Sequence, residues 1–158
     1  MNPVDGLCHW SSSALTHSPV ASTVRPPEPT QFLNVDLDLR LPKSAESLRD
    51  GLRRRMHLIH DEVGDSLKSW ELTRQPQSVE DAARRIIAAV ESLPPKARAE
   101  WKQCKARDFN VGIRAGVTPH SQVFALSASS LLGLARLRMR LVWTVYAADL
   151  SDAREPRH

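Results

Sequence analysis

One stretch of the chain, from Gln31 to Leu41, alternates strictly between apolar and polar residues. The apolar positions are Leu33, Val35, Leu37, Leu39 and Leu41, and the polar positions between them are Asn34, Asp36, Asp38 and Arg40. Successive side chains of a strand point to opposite faces of the sheet, so this period predicts a strand with one buried face. A strand of this kind needs a layer of other elements over its leucines, and this requirement constrains the whole fold.

The other periodicities and turn signals predict nine further elements. In chain order they are a helix over 45–55 capped by Ser44, strands over 56–63 and 66–74 around Gly64-Asp65, helices over 79–93 (capped by Ser78) and 96–106, strands over 108–115 and 122–126, a helix capped by Ser127, and a strand over 138–146. The order β-α-β-β-α-α-β-β-α-β contains neighbouring hairpins and no glycine-rich strand-to-helix turn. It therefore predicts an α+β domain, with helices packed on one face of a mixed or antiparallel sheet.

The chain has 158 residues, which is the size of one ordinary domain. Residues 1–30 are rich in Ser and Pro and have no helical or strand period, so we expect a disordered tail followed by a single domain over 31–148. Residues 149–158 are expected to be a flexible C-terminal tail. No apolar run is long enough to span a membrane, and no membrane partner is predicted.

The net charge is +4, and the positive balance lies in the middle of the chain, where most of the basic residues are arginines. Arginine suits the bidentate pairing of carboxylate or phosphate groups. Cys8 and Cys104 fall in a predicted tail and a predicted helix, so we expect no structural disulfide. Without a basic and then apolar N-terminal segment, the expected location is the cytoplasm.

The uncovered face of the predicted sheet carries the candidate binding residues, which are Asn34, Asp36, Asp38, Arg114 and Arg140. Acids on one strand opposite arginines on another would form cross-strand ion pairs. We expect those arginines to keep both Asp36 and Asp38 ionised. Two interpretations stay open, namely a solvated, salt-bridged surface and a face that docks a partner or a small charged ligand.

The sequence contains no pattern that points to catalysis, and we predict no catalytic residue, no metal and no cofactor. Asp36 and Asp38 lack further ligands for a cation. His57 and His60 would point in opposite directions on a strand, and no acid or cysteine stands at zinc spacing. The chain has no nucleophile-elbow, phosphate-loop or dinucleotide-binding motif.

Several segments resemble a group of uncharacterised bacterial single-domain proteins. They are Phe32 to Leu39, Leu93-Pro94-Pro95 with the later Trp101, Phe109 to Ile113, and Thr144-Val145-Tyr146. The resemblance covers about residues 31–148. It implies a bacterial cytoplasmic protein with a compact α+β domain, and it brings no activity and no catalytic residue.

Together these features favour a non-enzymatic protein-interaction module, an immunity-type or accessory regulator, whose partner is another protein bound through the polar sheet face. One alternative is a small enzyme acting on an anionic substrate held by the arginines. Another is nucleic-acid binding, which is disfavoured because aromatics make up only 5% of the chain and Trp70, Trp101 and Trp143 fall on faces assigned to packing. The sequence predicts no oligomeric state.

Overall fold

A computed structural model describes residues 29–61, 67–117 and 121–148. Its five strands are β1 (Gln31–Arg40), β2 (Met56–His60), β3 (Leu67–Leu72), β4 (Ala106–Arg114) and β5 (Arg140–Tyr146), and its four helices are α1 (Glu46–Arg53), α2 (Val79–Glu91), α3 (Pro95–Gln103) and α4 (Ala128–Arg136). Residues 1–28 of the predicted tail over 1–30, the predicted tail over 149–158 and the predicted Gly64-Asp65 turn lie outside the described residues.

The strands form one mixed sheet in the order β2-β3-β1-β4-β5. β1 is the middle strand and pairs antiparallel with both β3 and β4, while β2 pairs antiparallel with β3. Only β4 and β5 run parallel, and α4 forms the crossover between them. The α+β class with a mixed sheet is therefore confirmed.

The helices cover one face of this sheet. Val35, Leu37 and Leu39 of β1 are buried on that face, and Leu37 and Leu39 have no exposed surface. Leu33, which the alternation predicts there too, is only partly buried, because the pairing of β1 with β4 is irregular between Phe32 and Asn34. A single core cluster joins them to Trp70 and Phe109 of the flanking strands and to the apolar stripes of all four helices. No helix of the described residues covers the opposite face of the sheet, as the alternation of β1 predicts.

Two of the three predicted helix caps are present. Ser78 accepts a hydrogen bond from the Asp81 N–H at the start of α2, and Ser127 accepts one from the Ser130 N–H at the start of α4. Short hydroxyl side chains at this position satisfy N–H groups that lack a partner inside the helix.

The predicted Ser44 cap is wrong. Buried Ala45 occupies the cap position of α1, and its side chain can accept no hydrogen bond. Instead, the Leu48 N–H donates to Glu100 Oε2 of α3 at 2.7 Å. A residue distant in sequence thus supplies the acceptor, because packing against α3 sets where α1 begins.

The predicted strand over 122–126 is also wrong, since this segment has no regular structure. The edge of β4 that it would have used is occupied by β5. Its apolar residues Phe124 and Leu126 pack against the margin of the core instead. The alternation of apolar and polar residues in this segment therefore occurs in a loop, because a strand also needs a neighbouring strand with an unpaired edge.

β5 differs from the prediction in its exposure. Its residues Leu141, Trp143 and Val145 lie opposite Phe109, Val111 and Ile113, on the helix-covered face, yet Trp143 is 42% exposed. The strand lies at the edge of the sheet, beyond the helical layer. Among the described residues, no helix combines the length and apolar character needed to cross a membrane.

The Glu100 contact generates a prediction about stability. Glu100→Ala removes the acceptor of the Leu48 N–H, and loss of a cap of this kind destabilises a protein by about 1 kcal/mol. Urea unfolding of the full chain measures the change. Glu100→Gln keeps an acceptor oxygen and is expected to retain most of the stability, so equal losses in the two variants would contradict the capping role.

Candidate functional site

The face of the sheet opposite the helices is polar along its centre. We define the polar face by its central side chains, which are Asn34, Asp36, Asp38, Ser69, Glu71, Asp108, Asn110, Arg140 and Thr144. They come from β1, β3, β4 and β5, and all except Arg140 are partly buried by their neighbours. The structure thus brings together four of the five residues predicted from sequence.

The register of the strands crowds carboxylates at the middle of this face. Asp36 lies directly between Glu71 of β3 and Asn110 of β4, and Asp38 lies opposite Asp108. Opposed residues of antiparallel strands have Cβ atoms about 5 Å apart, and like charges at that separation destabilise the pair. Four carboxylates therefore share a small area of the sheet.

Asn34 bridges two of these carboxylates. Its Nδ2 donates to Asp36 Oδ1 at 3.1 Å and lies 3.4 Å from Glu71 Oε1. The carboxamide rests over Gly112, where an added Cβ would come within 2.5 Å of Asn34 Oδ1. Gly112 thus leaves the space that the bridging position of Asn34 requires.

A second chain of hydrogen bonds crosses from β5 to β1. Thr144 Oγ1 donates to Asn110 Oδ1 at 2.7 Å, and Asn110 Nδ2 donates to Asp38 Oδ2 at 3.0 Å. The other carboxylate oxygen, Asp38 Oδ1, is shielded from solvent and has no hydrogen-bond partner among the described residues. A shielded carboxylate oxygen without a donor is energetically unfavourable.

Arg140 pairs with Asp108 rather than with Asp36 or Asp38. Its Nε and Nη2 each lie 2.7 Å from an Asp108 oxygen, which is the bidentate geometry. This pairing raises the pKa of Arg140. At the other side of the face, the exposed His57 lies 3.2 Å from Glu71 Oε2. Two of the four carboxylates thus have a basic partner at the margins of the cluster.

Arg114 lies on the same face but outside the cluster. It stands at the end of β4, opposite Gln31 and beside Tyr146, four residues beyond Asn110. Four residues of strand span about 13 Å, so Arg114 and Asp36 do not meet. Arg138, predicted to be the first residue of the last strand, belongs instead to the turn that precedes β5.

We expected arginines to hold both aspartates ionised, but no arginine of the described residues pairs with Asp36 or lowers its pKa. The pKa of Asp36 is raised to about 6, mainly by burial and additionally by the negative charges of Asp38 and Glu71. Among the described residues, Asp36 has no hydrogen bond or ion pair with a basic side chain. Arg140, which the sequence analysis placed on the same face, pairs with Asp108 instead.

Sequence reasoning missed Glu71, Asp108 and His57 as members of the site. Each lies in or next to a strand that the sequence predicted, so their presence in the sheet was foreseeable. Their position beside β1 was not, because it depends on strand order and register. Over the described ranges, no three His, Cys, Asp or Glu side chains form a group that could hold a metal ion.

The raised pKa of Asp36 predicts how stability depends on pH. The folded chain holds the proton more tightly than the unfolded chain, so this group lowers stability as pH rises from about 4 to 6. Asp36→Asn removes the ionisable group and is expected to stabilise the chain at pH 7.5. The gain is about 1 kcal/mol, less than the full shift implies, because the half-exposed group is screened by solvent.

Urea unfolding at pH 7.5 and at pH 4 measures this effect, and the gain should vanish at the lower pH. Asp50→Asn on α1 is the control, since Asp50 is an exposed carboxylate outside the polar face. A gain that is the same at both pH values would show that Asp36 is not the titrating group.

No family model, curated protein or solved structure matches this chain. The resemblance to uncharacterised bacterial single-domain proteins stays an expectation from the sequence.

Proposed function

We propose that the chain is a protein-interaction domain of the cytoplasm, an accessory or immunity-type regulator, whose polar face binds a cationic segment of another protein. The observation that carries this proposal is the pair Asp36 and Asp38. Both carboxylates are partly buried, and neither contacts a basic side chain in the part of the chain that the structure describes.

The energetics of that pair favour an external donor. Removing a carboxylate from water is unfavourable unless hydrogen bonds or an opposite charge replace the solvent. Among the described residues, Asp36 accepts a side-chain hydrogen bond only from the Asn34 amide, and Asp38 Oδ1 accepts none. A lysine or arginine from a partner would supply both the charge and the donors.

The margins of the face support specificity. The Arg140–Asp108 pair and the His57–Glu71 pair flank the central carboxylates and are already satisfied. A partner segment with a positive centre and a polar surround would match this arrangement, whereas an acidic segment would meet unpaired carboxylates. Electrostatic complementarity of this kind selects partners and accelerates association.

The same charges weigh against the two alternatives at this face. An enzyme acting on an anionic substrate would need Asp36 and Arg114 in one pocket, but the two side chains do not meet. An anionic substrate or a nucleic-acid backbone would also approach several carboxylates, which repel phosphate. Neither alternative gains a specific observation on the polar face.

Affinity capture with the full chain tests the proposal. Wild type and the Asp50→Asn control should retain the same partner from an extract of the native cells, and an Asp36→Asn, Asp38→Asn double variant should lose it. Asparagine is close in size to aspartate and keeps an oxygen that can accept the hydrogen bonds donated by Asn34 Nδ2 and Asn110 Nδ2, so loss of the partner would follow from loss of charge. Equal retention by all three proteins would contradict a role for the polar face.

Binding to a purified partner should also depend on pH. A cationic segment binds ionised Asp36, so affinity should rise about tenfold between pH 5 and pH 7 as a group with a pKa of about 6 titrates. The Asp36→Asn variant should lose this rise and keep only the dependence caused by other groups. An affinity that falls with pH in wild type alone would indicate an acidic partner.

A further inference from the structure

A cavity of about 670 Å³ lies on the helix side of the molecule, where the ends of α2 and α4 approach α3 and the start of β4. Its volume falls in the range of about 300–1,000 Å³ that is typical of small-molecule sites. Its charged lining is strongly one-sided, with a single carboxylate, Glu91, against the cations Arg98, Lys102, Arg107, Arg136 and Arg138. The polar face lies on the other side of the sheet.

An apolar wall accompanies these cations. It consists of the partly exposed Leu137, behind which lie the buried Val90 and Trp101. The Trp101 Nε1–H donates to the Leu137 carbonyl at 3.3 Å, and the Arg107 guanidinium lies 5.9 Å from the ring centroid. The tryptophan is thereby held in place, and an organic group entering the cavity would find both an apolar surface and positive charge.

Two of the arginines already form hydrogen bonds that stabilise the fold. Arg107 Nη1 donates to the carbonyls of Trp101 and Cys104 at 2.7 and 2.9 Å, and Arg98 Nε donates to the Leu93 carbonyl at 2.9 Å. These bonds satisfy carbonyls at helix ends, where cations are favourable. Each guanidinium has five N–H donors, so both arginines keep donors for a ligand.

The side chains of Lys102 and Arg138 do not stabilise the fold through such hydrogen bonds. The Arg138 carbonyl accepts a hydrogen bond from Arg107 Nε at 3.3 Å, but the side chains of Lys102 and Arg138 form no hydrogen bond or ion pair within residues 29–61, 67–117 and 121–148. Arg136 lies 3.4 Å from Glu91 across an exposed contact, and such a pair contributes little. The cavity therefore contains cations whose charge the described chain does not neutralise.

The backbone conformation of Arg138 is a second, independent indication that the cavity binds a ligand. α4 ends with the Arg138 N–H bonded to the Ala135 carbonyl and the Met139 N–H bonded to the Leu134 carbonyl, which is the Schellman pattern. Arg138 occupies its left-handed position with φ of 55°, where glycine is the usual residue. The chain places a long cation at a strained position that borders the cavity.

We propose that this cavity binds a small phosphorylated organic molecule that carries at least two negative charges, of the size of a nucleoside diphosphate. Guanidinium forks match phosphate oxygens, and a phosphate concentrates more charge than a carboxylate does. The apolar wall at Leu137 suits the organic part of the ligand. This binding site is separate from the proposed protein-binding face and does not depend on it.

Titration calorimetry of the full chain with ADP and with pyrophosphate tests the site, with citrate as the carboxylate comparator. We expect saturable binding of ADP that weakens with added salt, weaker binding of pyrophosphate because it lacks the organic group, and little binding of citrate. Absence of saturable binding of both phosphate compounds, or tighter binding of citrate, would overturn the proposal.

Two variants locate the ligand. Arg138→Gly should weaken ADP binding about tenfold while the melting temperature stays equal or rises, since glycine adopts the left-handed conformation freely. Lys102→Gln should weaken binding similarly, whereas Lys96→Gln, on the same helix and outside the cavity lining, should not. Equal effects of Lys102→Gln and Lys96→Gln would show only a general effect of charge.

A gel-shift experiment with single-stranded RNA separates a small ligand from a nucleic acid. If ADP binds and RNA binding is unaffected by Arg138→Gly and Lys102→Gln, the small-molecule site is supported. If RNA binding is lost in both variants while ADP shows no saturable binding, the cavity is part of a nucleic-acid surface and the proposal is wrong.

Discussion

The middle position of β1 in the sheet imposes two demands on one short segment. Val35, Leu37 and Leu39 must face the helices, because all three are almost completely buried in the core, and the aspartates between them must then face the opposite side. A shift of the strand by one residue would exchange the two sets. Burial of Leu37 and Leu39 thus determines where Asp36 and Asp38 lie.

The same geometry explains the unusual electrostatics of the polar face. A central strand has neighbours on both sides, so Asp36 loses solvent to Glu71 on one side and Asn110 on the other. An aspartate on an edge strand would keep more of its hydration. Hydrophobic burial on one face of β1 therefore keeps ionisable groups partly desolvated on the other face. The free energy of the buried core offsets the unfavourable desolvation and repulsion of the carboxylates on the polar face.

The sequence was informative wherever the determining contacts are local. The alternation from Gln31 to Leu41 and the hydroxyl caps at Ser78 and Ser127 depend on residues close in the chain, and all three were predicted. The Ser44 cap failed because the acceptor comes from Glu100, on another helix. Local chemistry cannot indicate a partner that only tertiary packing brings near.

The candidate site was predictable only in part, for a related reason. The polar positions of β1 follow from its period, but the neighbours Glu71 and Asp108 follow from register and strand order. The displacement of Arg138 shows the same limit. The strand was predicted to begin there, yet the end of α4 takes this residue into a left-handed turn and directs it to the other side of the sheet.

That turn joins two regions that would otherwise be independent. Arg138 borders the cavity, Arg140 is paired on the polar face, and only the buried Met139 separates them. Any movement of this short segment would act on both sides of the sheet together. If occupancy of one side displaces it, thermodynamic linkage requires the two ligands to change each other's affinity by the same factor.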